Sequence, residues 1–330
     1  MKKCFLIAAG FVFCASVQAQ VNWDSSGGQS MPKIVRSAHV GAKPVVKEVR
    51  SDSMDTVNGW FRSTGMAILE DKTAVVIAAA LSGRSVDEVK AVYRTISTDA
   101  EYNRTNLLVT LVLSGMDIKT FRKLRSSFSG IADADTKKKL SFVSVLTGKS
   151  PELLEAAYKQ SGSVFAEHKA LMASLAVMYG KSPKQLNEMY KEADTVFAEY
   201  KDMEVVGAVI SGKSMAEMNG ILKSVNSEPS NFDKKLLIVL CAVSGKSVDE
   251  LDESFKAVDC MDSRIKSRLA VLSFLSGVPV ADINAMLKKA NTSMLEGKEK
   301  LVFAAVMLDS SEPVRKNIIN LRLLHQFAAR

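Results

Sequence analysis

From residue 53 onward, dense apolar runs of helical period alternate with sparser apolar residues four apart, and a glycine closes each dense run. Aligned on Gly83, Gly115, Gly148, Gly180, Gly212, Gly245 and Gly277, the pattern advances in steps of 32 or 33 residues. Asp309 stands one step of 32 further on, where the pattern decays. Self-similarity at such a period marks a repeat architecture and takes precedence over any local motif.

Each cycle predicts the same two elements. A first helix of about three turns ends in an apolar residue two before the glycine, as in Leu81, Leu113, Leu146 and Met178. The glycine suits the position just past a helix end, where a left-handed backbone is cheapest without a Cβ. Two residues later a capping residue starts a second helix: Ser85, Asp117, Ser150, Ser182, Ser214 or Ser247. Ser85–Glu88, Ser182–Gln185, Ser214–Glu217 and Ser247–Glu250 read as capping boxes, and Pro151 and Pro183 hold the favoured first helical position. The second helix spaces its apolar residues by four, as in Val89/Tyr93, Leu154/Tyr158, Leu186/Tyr190 and Leu251/Phe255. Val57/Phe61 after Ser53 fits the same template, so an incomplete unit precedes the first glycine.

One helical hairpin cannot bury its own apolar face, so neighbours must stack. The expected fold is all-α: an α-solenoid of about eight helix–turn–helix repeats of 32–33 residues with a C-terminal capping helix. The expected divisions are a signal peptide over 1–19, an extended or disordered leader over 20–52, the array over 53–311 and the cap over 312–330. In unit size the array resembles tetratricopeptide-type α-solenoids. It lacks their Trp-x-x-Leu-Gly signature and its period is shorter than their usual one of about 34, so the resemblance is one of architecture alone.

The leader division rests on composition, since residues 20–52 are poor in large apolar residues and show no sustained period. The signal peptide rests on Lys2 and Lys3, the apolar run Phe5–Ala15 and the small residues of Val17-Gln18-Ala19 before Gln20. No later segment is apolar and uninterrupted enough to span a bilayer. A periplasmic or secreted, non-membrane-spanning chain follows as the expectation. The formal charge of +8 falls to +6 without Lys2 and Lys3, a modest surplus that favours acidic partners or anionic envelope surfaces over nucleic acid.

Three candidate chemistries lose force when read by column. Gly207-Ala-Val-Ile-Ser-Gly212-Lys213-Ser214 matches a phosphate-binding loop letter by letter. Such a loop follows a strand, whereas here a helix precedes. Gly-Lys-Ser also recurs at Gly148, Gly180 and Gly245 without the upstream glycine. Beyond the signal segment the cysteines are Cys241 and Cys260, each standing where its column otherwise holds mostly small residues. Within one hairpin they fall roughly 15 Å apart, too far for a bridge, so both are expected free. The histidines are His39, His168 and His325, without metal-ligand spacing, and no nucleophile-elbow motif appears. The expectation is a non-enzymatic chain with no cofactor.

The column with most functional promise is basic. Eleven residues before each turn glycine stand Lys72, Arg104, Lys137, Lys169, Lys201, Lys234 and Lys266, with Lys298 in the same place before Asp309. A cation at a helix start opposes that helix's dipole, so propensity does not account for it. Each could reach the carbonyls ending the preceding helix or pair with nearby acids. Together they could also form a ladder for an anionic polymer. A second column, Arg84, Lys149, Lys181, Lys213 and Lys246, is interrupted at Met116 and Val278. The expected function is a scaffold that binds a protein or peptide on its superhelical surface. The alternative is a charge-driven binder of an anionic envelope polymer or lipid head group.

Overall fold

The structure is a computed structural model that describes residues 52–96, 103–162, 166–228, 230, 232–312 and 314–315. The signal peptide, the leader up to residue 51 and the expected cap beyond Arg315 lie outside the described residues. Sixteen helices make up the described chain, and no strand occurs among its residues. The first eight are α1 (Asp52–Ser63), α2 (Leu69–Ser82), α3 (Val86–Ile96), α4 (Arg104–Ser114), α5 (Ile118–Ser127), α6 (Ala134–Thr147), α7 (Pro151–Gln160) and α8 (Ala166–Tyr179). The rest are α9 (Pro183–Glu192), α10 (Ala198–Ser211), α11 (Met215–Ser227), α12 (Lys234–Ser244), α13 (Val248–Ala257), α14 (Ser263–Ser276), α15 (Val280–Lys289) and α16 (Leu295–Asp309).

Even- and odd-numbered helices differ in kind. The middle turns of the even helices are apolar nearly all round, and runs such as Ala74–Leu81 and Leu301–Met307 are buried without interruption. A helix of that composition must be enclosed on every side. The odd helices are amphipathic: α3 buries Val86, Val89, Tyr93 and Ile96 and leaves Asp87 and Glu88 exposed. The even helices therefore form an inner layer and the odd helices an outer one.

The turns inside the hairpins follow the capping chemistry. The seven glycines that end α2 to α14 have φ between +65° and +74°, a conformation that costs a side-chain-bearing residue roughly 1 kcal/mol or more. Asp309 does not take it up; α16 runs through Asp309 and ends on Ser310 at φ −69°. The four expected capping boxes all form, with Ser85 N–H donating to Glu88 Oε2 at 2.9 Å and Glu88 N–H to Ser85 Oγ at 3.3 Å in the first of them. Ser53, expected as a cap, instead lies inside α1, buried, and donates its hydroxyl hydrogen to the Asp309 carboxylate.

Packing runs from α2 to α4, α6, α8, α10 and α12 in turn, and from α14 to α16; α16 then packs against α2. The series returns on itself. Helix α1 lies against α16 as well as α2, so the first and last described helices are in contact. Side-chain amides define its seat. Asn219 on α11 clamps the end of α9, accepting from Asp194 N–H at 2.9 Å and donating to Glu192 O at 3.2 Å. Asn284 on α15 does the same for α13 through Asp259 N–H (2.8 Å) and Ala257 O (3.0 Å). Asn58 on α1 clamps the end of α15 through Asn291 N–H (2.9 Å) and Lys289 O (3.0 Å). Such clamps satisfy backbone groups that a helix terminus leaves unpaired. In space, α1 is the outer helix that follows α15 and pairs with α16.

The end of the inner layer is thus covered by the chain's own beginning. Of the segment expected to cap it, Val314 packs against the core and Arg315 donates from Nη1 to Ala80 O at 3.5 Å.

Candidate functional site

The cationic column lies in the first turns of the inner helices. Lys72, Lys137, Lys201, Lys266 and Lys298 donate their backbone N–H to Ile68, Asp133, Phe197, Asp262 and Met294 respectively, closing the first helical turn. Arg104 and Lys234 open their shorter helices directly after the caps Asn103 and Asp233. Every lysine in the column is half-buried, and Arg104 is exposed.

Four of the eight cations lie over an aromatic ring eleven residues earlier, on the preceding outer helix. Lys72 Nζ stands 5.1 Å from the centre of the Phe61 ring, Lys169 5.6 Å from Tyr158, Lys201 5.3 Å from Tyr190 and Lys266 5.2 Å from Phe255. An ammonium over a ring face at this range gains about 0.5–1 kcal/mol at accessible sites. Arg104 instead meets Asp71 at 3.7 Å, with the Tyr93 hydroxyl interacting with both groups. Lys234 donates to Asn226 O near the end of α11 at 3.4 Å, a contact to terminal carbonyls of the preceding helix. The column is distributed around the inner layer, one cation per helix. The aromatic partners stand in the sequence as apolar residues of the outer helices, and their offset of eleven before Lys72, Lys169, Lys201 and Lys266 is the signal that marks them.

Ion pairs join the same first turns sideways. Asp71 pairs with Arg104 at 3.7 Å and Lys139 with Glu167 at 4.0 Å, while His168 Nδ1 and the Asp202 carboxylate stand at hydrogen-bond distance, 2.6 Å. Further round, Glu199 pairs with Lys235 at 2.9 Å and Arg268 with Glu299 at 3.0 Å. Each links the first turns of two inner helices, so α2 with α4, α6 through α12, and α14 with α16 run in the same direction within each group. Burial pushes the Glu299 carboxyl up, and the Arg268 guanidinium opposes that shift. The His168 ring also meets Tyr190 edge-on at 4.4 Å.

One carboxylate stands apart. Glu204 is fully buried in the middle of α10, and neither of its oxygens has a hydrogen-bond partner. Burial, reinforced by the Asp194 charge, pushes its carboxyl up to about 7, with Lys201 acting in the opposite direction. Sequence reading by column passed over it.

The remaining candidates sit in structural places. Gly207 of the apparent phosphate loop is inside α10, where the Met218 side chain fills the space a Cβ would need. Gly212 is that helix's left-handed terminus and Ser214 the next helix's cap. Cys241 and Cys260 are both free. Burial pushes the Cys241 thiol up to about 12 and raises that of Cys260 as well. In the second basic column, Lys246 lies 4.5 Å from the Phe274 ring centre. Among the described residues no cluster of three or more His, Cys, Asp or Glu is arranged to hold a metal, and no helix is long and apolar enough to cross a membrane. Compared with known proteins, the chain matches no family model and no curated sequence.

Proposed function

We propose that this chain is an exported, non-enzymatic scaffold, a series of 32–33-residue helical hairpins that presents its outer surface to a protein or peptide partner. The observation that carries the reading is the use to which its chemical groups are put. Cap serines, Gly-Lys-Ser turns, cysteines and most of the cationic column serve helix ends and helix contacts. Their roles support a chain whose inner layer maintains shape while the exposed faces of the outer helices remain for recognition. Export to the periplasm or beyond rests on the N-terminal signal pattern.

The second reading, an anionic envelope polymer or head group on the column from Lys72 to Lys298, draws on the half-exposed ammonium groups. It stands behind the first because four of the eight cations already lie over rings and Arg104 is paired.

The test is a pull-down of the chain from its native envelope, followed by binding of the purified partner at low and at about 0.5 M salt, where charge contacts are screened within a few ångströms. A protein partner held at both salts supports the scaffold. Binding that collapses with salt and with joint charge reversal at Lys137, Lys169, Lys201 and Lys234 supports the polymer. An N-terminus at Met1 on the protein isolated from the envelope would sink the export claim, and one at Gln20 is expected.

A further inference from the structure

Each inner helix has one residue in the seat that Glu204 takes in α10, and in the other seven helices that residue is Val, Leu or Met. All eight are buried, so a carboxyl stands where the rest of the series places only apolar side chains. Among the described residues Glu204 is the one carboxylate with both oxygens buried and unpartnered. An ionised carboxyl there loses its hydration without a protein partner in return, so the closed seat accepts the neutral form alone. Buried polar groups are nearly always bonded, and an exception asks for a reason.

The helices packed against α10 offer the group no relief. These are α8, α9, α11 and α12. Helices α8 and α12 carry charged residues only at their starts, and beyond those their titratable groups are Tyr179 and the Cys241 thiol. The charges at the starts are engaged locally: His168 with Asp202 at 2.6 Å, Lys235 with Glu199 at 2.9 Å, Lys169 over the Tyr158 ring and Lys234 on Asn226 O. Lys184, Glu188, Lys191 and Glu192 of α9 lie exposed on its outer surface. On α11, Glu217 closes the Ser214 cap and Lys223 pairs with Asp194 at 3.5 Å. Burial acts most strongly on the Glu204 carboxyl, Asp194 adds to its effect, and Lys201 opposes both from one turn away.

Nor can α10 shift locally to let water in. Gly207 lies three residues on, along the same face of the helix. A Cβ there would stand 2.6 Å from the Met218 methyl of α11 and 3.2 Å from the Ala242 Cβ of α12. The turn after Glu204 is therefore pressed directly against both neighbours, and a close-packed interior has no spare room for a hydration shell. Water reaches an ionised Glu204 only if the outer helices part from α10.

We propose that Glu204 is a proton-controlled latch: protonated, it keeps α9, α10 and α11 shut together, and ionised, it makes α9 and α11 part from α10 and admit water. Both parting elements are outer helices, so the latch alters the outer surface over that stretch alone, whichever partner the surface holds. The sign follows from the two states. An ordinary Glu releases its proton near 4.5 and the buried one at about 7, so opening grows as pH rises between those values and levels off above them.

The test is hydrogen exchange of the purified chain from pH 5 to pH 8, read by mass spectrometry on peptides of each helix and corrected for the intrinsic pH dependence of amide exchange. Opening of α9 to α11 should rise on the order of 50-fold over that range, while α2, α4 and α16 should show no such rise. In Glu204→Gln the rise should vanish, and Glu204→Met, which restores the apolar pattern of the series, serves if the first variant misfolds. Two further variants leave Glu204 in place. Asp194→Asn should shrink the rise, and Lys201→Met should enlarge it. A rise that survives in Glu204→Gln or Glu204→Met, one that spreads evenly over all helices, or none at all overturns the proposal. So does a rise that neither charge variant alters.

Discussion

Eight residues before the turn glycines, and before Asp309, Val75, Leu107, Leu140, Met172, Leu237, Leu269 and Leu301 occupy buried places, and Glu204 takes the same place in α10. Its carboxyl, raised from an ordinary 4.5 to about 7, keeps its proton in the folded chain at pH values where the unfolded chain releases it. Folding is then favoured at low pH, and the contribution is lost as pH rises from about 4.5 through 7. Replacing Glu204 with Met should stabilise the protein at pH 8 by on the order of 2 kcal/mol and by much less at pH 5, read from urea midpoints. An equal gain at both pH values would show that ionisation plays no part. The column of cations is the counterpart case. A lysine that looks misplaced against its own helix dipole is explained by the ring of the helix before it, as Lys201 is by Tyr190.

Among the elements, α1 behaves as an outer helix detached from its hairpin. Asn58 fixes it to the end of α15 with the same two bonds that Asn284 makes to α13. In Asn284 the bonded residues are 25 and 27 positions away; in Asn58 they are 233 and 231. Asn58→Ala should cost about 1–2 kcal/mol, since it strands a donor and an acceptor at a helix end. Amide exchange should quicken in α1 and around Asn291 before it does elsewhere. Exchange that rises evenly over all helices, or not at all in α1, would mean that the clamp does not hold the closure.

For the molecule as a whole, α16 covers α2 and α1 lies against both, so the first and last described helices shield one another's apolar faces. Starting the chain at residue 64 would remove Met54, Val57 and Phe61 from their buried seats on the core. Side chains of this size contribute roughly 1.5–3 kcal/mol each on burial. The shortened chain should therefore melt many degrees lower or self-associate, and a peptide of residues 52–63 added back should recover part of the loss. A truncated chain with the melting midpoint of the full one would show that α1 is dispensable.

Helix type and boundary were legible because their causes are local. Glycine after the first helix, serine or aspartate two residues on and Glu or Gln three beyond are backbone chemistry, and the cap at Ser182 or Ser214 forms as its neighbours dictate. The free cysteines followed from column and distance in the same way. Closure has only a faint local trace: Val57, Asn58 and Phe61 repeat the spacing of Leu186, Asn187 and Tyr190, whereas Arg315 stands where that template wants an apolar residue. A period records what each unit needs from its neighbours; the accumulated rotation between units, set by side-chain packing, decides whether the last unit meets the first. That packing alone brings α16 against α2 and seats Lys72, Lys169, Lys201 and Lys266 on the rings behind them.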